Sequence, residues 1–121
     1  MKLKLLVMMF ICACQSLVTK KIDPKILTAK ISLIYGDIKQ GKYNRAFKTS
    51  KALLKKHPNN SQILNTLGIV YLGMKKPNKA IYFLEKAYDN EGLGVVGLNL
   101  SSAYIENKNY RKSLIVLQKL L

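Results

Sequence analysis

One motif returns twice along this chain at a nearly fixed distance, and that period limits the fold more than any other feature. Gly41-Lys42-Tyr43-Asn44-Arg45-Ala46 is matched by Lys75-Lys76-Pro77-Asn78-Lys79-Ala80 and by Lys108-Asn109-Tyr110-Arg111-Lys112-Ser113. The small residues that close the three runs, Ala46, Ala80 and Ser113, lie 34 and 33 residues apart. Upstream, Leu67-Gly68 and Tyr71 are matched by Leu100-Ser101 and Tyr104. Downstream, Leu84 and Ala87 are matched by Leu117 and Leu120, with Ser50 and Leu53 as the equivalents in the first unit. A period in this range marks one supersecondary unit stacked on its neighbours, because a unit of that size cannot bury its apolar face alone.

The residues inside each unit read as two helices. Leu67, Gly68 and Tyr71 fall at i, i+1 and i+4, one stripe of a helix. Gly68 leaves room for a second helix to approach, Ala80 is the small contact on that helix, and Phe83, Leu84 and Ala87 continue its apolar face. Asp23-Pro24 is a cap followed by a first-turn proline. His57-Pro58-Asn59-Asn60-Ser61 ends one helix and caps the next, and Pro77-Asn78 starts another. Strands are excluded, since period-two alternation is absent and the runs are too long. The chain is therefore expected to be all-α, with helices near 24–39, 44–56, 61–74, 78–89, 95–107 and 110–121. Gly92, Gly94 and Gly97 predict a bent or mobile start to the third unit.

These units resemble the tetratricopeptide repeat, a helix–turn–helix of 34 residues. The likeness covers about 27–60, 61–94 and 94–121. The middle copy carries Leu67, Gly68, Tyr71, Ala80, Phe83, Leu84 and Ala87 in the signature slots. The first keeps Leu33, Gly41, Tyr43, Ala46 and the closing Pro58, but has Ile34 in the glycine slot and Asp37 in the tyrosine slot. The third keeps Tyr104 and has Ser113 for alanine. The resemblance implies a short right-handed α-solenoid of about three repeats, whose first helices line a concave groove for a protein partner. Groove positions would be Ile31, Tyr35, Ile38 and Lys39, then Asn65, Ile69 and Leu72, then Leu98, Ser102 and Ile105. That lining is mostly aliphatic, with Asn65 and Ser102 able to hydrogen-bond a peptide backbone. Each position has a second reading as ordinary packing between repeats. The family's grip on a C-terminal carboxylate uses Lys and Asn side chains; the corresponding places hold Ile31, Tyr35, Thr66, Val95 and Asn99, so that mode is not expected.

The N-terminal segment carries a different message. Lys2 and Lys4 precede an uninterrupted apolar run from Leu5 to Ala13, and polar Gln15-Ser16 follow. This is the layout of an export signal, and the run is about half the ~20 residues a membrane span needs. Ile11-Cys12-Ala13-Cys14 resembles the lipobox of bacterial lipoproteins, with Cys12 where a smaller residue is commoner. That resemblance implies a signal peptide over 1–13, a diacylglycerol on Cys14, a tether over 14–22 and a repeat domain over 23–121. An ordinary signal or an uncleaved anchor is the alternative. Gln15, rather than an aspartate, after the cysteine implies sorting to the outer membrane, facing the periplasm.

Charge narrows the function classes. Lys and Arg total 21 against 6 Asp and Glu, a net +15, yet 49% of residues are hydrophobic, too many for a disordered basic tail. Without residues 1–13, 19 basic and 6 acidic residues leave +13. Only Arg45 and Arg111 are arginines and tryptophan is absent, a poor composition for a nucleic-acid reader. Lys48, Lys51 and Lys55 share one helical face opposite Phe47, Leu53 and Leu54. That face is either merely solvated or a contact for anionic lipids or polymers near the anchor. Leu117, Leu120 and Leu121 predict an uncovered apolar edge, to be buried by a second copy or a partner. His57 is the only histidine, the six acids are scattered, and no metal-spaced set or phosphate loop occurs, so neither catalysis nor a cofactor is expected. The expected function is a lipid-anchored adaptor of the bacterial envelope, similar to the pilotin-type lipoproteins of type IV pilus and secretion assembly. The alternative is a surface protein that uses its lysine-rich face.

Overall fold

The structure, a computed structural model, describes residues 2–7, 21–92 and 94–121. Residues 2–7 are helical with every side chain exposed. Six further helices follow: α1 (Pro24–Lys39), α2 (Tyr43–Lys56), α3 (Ser61–Gly73), α4 (Pro77–Glu91), α5 (Val95–Glu106) and α6 (Tyr110–Leu120). The described residues contain no strand, and the chain is all-α. Cys14, the rest of the apolar run and most of the tether lie outside the described residues. Among the described residues no helix is long and apolar enough to cross a membrane.

Local chemistry sets the helix ends. Asp23 accepts a hydrogen bond from the Lys25 amide at 2.8 Å, with Pro24 in the first turn. Asn60 accepts from the Ile63 amide at 3.1 Å, and Asn109 from the Lys112 amide at 3.2 Å. Each such cap is worth about 1 kcal/mol. The turns inside the three hairpins share one left-handed position, filled by Gly41 (φ 70°), Lys75 (φ 60°) and Lys108 (φ 60°). Only glycine adopts that geometry without steric cost, so the second and third turns carry strain that the first avoids. The helix expected to close at 89 continues to Glu91, where Gly92 (φ 69°) and then Gly94 (φ 83°) redirect the chain into α5.

Consecutive helices pack against each other, and α3 also touches α1 and α5. Among the described residues the backbones of α2, α4 and α6 do not come close to one another, although their side chains share an apolar cluster. The first helix of each pair therefore lies on one side of the stack and the second on the other. Two apolar clusters hold it together. One joins Leu27, Ile34, Ala46, Leu53, Ile63 and Val70; the other joins Leu67, Tyr71, Ala80, Leu84, Leu100, Ala103, Tyr104 and Val116. Helix α3 contributes to both, which explains why it carries no charged residue and is buried on more than one face.

Three slots repeat with altered chemistry. A Cβ on Gly68 would lie 2.5 Å from Leu84 Cγ, so the glycine admits Leu84 against the α3 backbone. One period earlier the sizes are exchanged: large Ile34 and small Ser50 are both fully buried. In the tyrosine slot, Tyr71 stacks on Phe83 (centroids 5.5 Å apart) and meets the edge of Phe47. Asp37 takes that slot in the first hairpin, with its side chain only 10% exposed, and pairs with Arg45, whose Nε donates at 2.9 Å. That hydrogen bond holds the Asp37 carboxyl below its ordinary range, with the nearby charges of Arg45 and Lys42 acting the same way against partial desolvation. Tyr104, in the third hairpin, donates its hydroxyl to Glu85; burial first, then that carboxylate, push its ionisation well above the ordinary tyrosine value. A cation precedes the closing small residue each time: Arg45 on Asp37, Lys79 at 5.9 Å from the Tyr71 ring and Lys112 at 5.6 Å from the Tyr104 ring.

Two expectations need correction. Leu33, a signature position by resemblance, is 71% exposed. Helices α3 and α5 are each covered by the helix before them, and among the described residues none packs before α1. At the other end, Leu117 and Leu120 are not bare. Both are half-buried, and Leu120 lies within 3.5 Å of the position a Cβ on Gly97 would occupy. The exposed apolar residues there are Tyr110, Leu114, Ile115 and Leu121.

Candidate partner-binding cleft

The first-helix side carries a cleft of about 340 Å³, near the lower end of ligand-pocket sizes. Helix α1 offers Thr28, Ile31, Ser32 and Tyr35, spaced i, i+3, i+4 and i+7, which is one stripe of a helix. Helix α3 offers Ser61, Gln62, Asn65 and Thr66, while Val95 and Val96 open α5 and Glu91 ends α4. The cleft exists because α1 and α3 pack directly and the Gly92–Gly94 bend brings the start of α5 alongside.

Its polar groups differ in availability. Thr28 and Thr66 donate to carbonyls of their own helices, Pro24 O at 2.8 Å and Gln62 O at 2.7 Å. Asn99 Nδ2 donates to Asn65 Oδ1 at 2.9 Å, which joins α5 to α3. Asn65 is only 8% exposed and Ser61 only 5%. Neither the Asn65 nitrogen nor the Ser61 hydroxyl has a partner among the described residues, and both open onto the cleft rather than being sealed like Ser113 Oγ. Both atoms stay within reach of water, so in the free protein they carry no penalty of the kind Ser113 Oγ does, and a ligand can replace that water with its own hydrogen bonds.

Of the expected groove positions, Ile31, Tyr35 and Asn65 line this cleft. Ile38 and Leu72 instead rest on the two apolar clusters, and Ile69 is half-buried outside the lining. Lys39 is exposed and apart from it. Leu98, Ser102 and Ile105 are exposed on α5 and continue the line that Val95 begins. The unforeseen lining residues are Thr28, Ser32, Ser61, Gln62, Glu91 and Val96. Thr28 and Ser32 are legible as helical neighbours of Ile31; Glu91 is not, because the sequence predicts a helix end near 89.

Lys48, Lys51 and Lys55 are exposed on α2, which does not line the cleft. The ion pair found among the described residues is Arg45–Asp37, so the three lysines have no carboxylate partner there. The described residues bring together no group of three or more His, Cys, Asp or Glu suited to a metal ion. No protein-family model matches the chain.

Proposed function

We propose that this protein is an adaptor of the tetratricopeptide type, held in the bacterial envelope by lipid on Cys14, that captures an extended segment of a partner protein. The observation that carries the reading is the cleft itself, with apolar walls from Ile31, Tyr35 and Val95 and with Asn65 and Ser61 open to hydrogen bonding in it. The 34- and 33-residue returns of the slots, and the location of the first helices on one side, support three stacked repeats, and the right-handed sense is what the resemblance implies. Backbone groups of a bound segment would satisfy Asn65 and Ser61 while its side chains cover the walls. Anchoring at the outer membrane, facing the periplasm, gives such capture its use: it concentrates the partner at one surface, as the pilotin-type lipoproteins do for secretion and pilus assembly. In-cell photocrosslinking from Val95 tests this. A specific adduct should form, and Val95→Lys with Leu98→Lys should abolish it without altering helicity. Cys14→Ser should release the protein from membranes.

A second reading rests on Lys48, Lys51 and Lys55, whose charges have no neighbouring carboxylate. Such a face contacts anionic lipid headgroups or polymers, and its binding to phosphatidylglycerol vesicles would fall steeply with salt.

A further inference from the structure

We propose that the segment taken by the cleft is basic and aliphatic: a lysine or arginine placed at Glu91, with aliphatic side chains running along Val95, Leu98 and Ile105. The inference rests on reading the cleft as a partner-binding groove and names the chemistry of its occupant. The first support is where the charges are missing. The chain has 21 Lys and Arg residues, yet α3 carries no charged side chain and α5 carries only Glu106. Burial explains that for α3, but not for α5. Val95, Leu98 and Ile105 are 67%, 53% and 48% exposed. On α2, positions open to solvent hold Lys48, Lys51 and Lys55. Aliphatic residues exposed in a row on an otherwise lysine-rich surface mark a surface that is covered when in use.

Glu91 supplies the complementarity. It is the one charged residue lining the cleft, it is exposed, and it takes no part in an ion pair among the described residues. Glu106 closes the far end of the same stripe, so both flanks of the aliphatic row are acidic. An acidic segment would be repelled at both ends. The net positive charge of the whole molecule opposes a cationic ligand, but that opposition is screened beyond about 8 Å at physiological salt, whereas contact with Glu91 is not. Asn65 and Ser61 are largely buried as residues, but the Asn65 nitrogen and Ser61 hydroxyl remain open to hydrogen bonding, and they suit the main-chain groups that an extended segment offers and a helix does not. The 12 residues of α5 rise about 18 Å, the span of roughly six extended residues.

The test is selection from a random decapeptide library displayed on phage, panned on the immobilised full chain at about 0.15 M salt. Enriched peptides should carry Lys or Arg within a few positions of two or more aliphatic residues. Their affinity should fall about 2- to 5-fold with Glu91→Gln, the worth of one exposed ion pair, and further with Glu91→Lys; Leu98→Lys should abolish binding. Peptides that need Leu98 but lack a cation and ignore Glu91→Gln would overturn this inference and leave the groove reading standing. A selection that yields nothing sensitive to Leu98→Lys would overturn both. Acidic peptides that ignore Leu98→Lys and are lost at high salt would overturn the inference in favour of the α2 lysine face.

Discussion

In the second hairpin Gly68 admits Leu84 and Tyr71 stacks on Phe83; in the first, Ile34 and Ser50 exchange large for small, and Asp37 reaches Arg45. The second pair packs its backbones more closely than the first, and one is closed by apolar contact, the other by a charge-assisted hydrogen bond. What repeats along this chain is the spacing of the slots, while the residue at each slot changes. The constant partner is the cation before the small residue, Arg45, Lys79 and Lys112, which meets a carboxylate once and an aromatic ring twice.

The comparison breaks most sharply if the second hairpin is given half of the first one's chemistry. Gly68→Ile alone drives a branched side chain into Leu84 and should cost about 3 kcal/mol or more, at the top of the range for overpacking. Leu84→Ser alone should cost about 2–5 kcal/mol through the cavity it leaves. The double variant puts the residues of the Ile34 and Ser50 slots into the second hairpin and should recover at least about 1 kcal/mol of the summed loss, a coupling ordinary for residues in contact. Denaturant titration of all three checks this, and strict additivity would show the two hairpins do not share a design.

A smaller effect distinguishes the first hairpin by pH. The folded Asp37 carboxyl lies below its unfolded value of about 3.9, so its pairing stabilises the fold above that pH and is lost as pH falls through the depressed value. Asp37→Asn should lower stability at neutral pH and flatten that acid limb, read by urea midpoints between pH 2 and pH 6, roughly the span over which such a carboxylate titrates. In the third hairpin, Ser113 stands where Ala46 and Ala80 stand, with a buried hydroxyl that has no partner. Ser113→Ala should therefore raise stability by about 1 kcal/mol, seen as a higher melting temperature. Least of all, Lys112→Gln removes a cation at 5.6 Å from the Tyr104 ring and should cost about 0.5–1 kcal/mol.

The helices were legible because their signals are local. The proline and asparagine caps and the apolar stripes each act within a few residues. Exposure was harder to read. Leu33 has the same sequence neighbourhood as a packed leucine, and only the lack of a covering helix among the described residues leaves it bare. Asp37 looked like a defect in the tyrosine slot because its remedy, Arg45, lies eight residues away on another helix. The cleft was half legible. Ile31, Tyr35 and Asn65 follow from periodicity, but Ser61 and Glu91 enter it through helix ends, where one further turn decides which way a side chain faces.

The burial of α3 has a consequence for how the molecule opens. That helix touches every other of the six except α6 and is packed on two sides, so its amides should exchange with solvent slowest. Low-contact α1 and α6 should open first, from the ends inward, as in a chain of nearest-neighbour couplings. The cleft has its floor on the slow helix and its walls on α1 and the start of α5. Ligand capture should accordingly appear as slowed exchange at the walls, with the floor nearly unchanged, a signature that separates binding here from binding anywhere else on the surface.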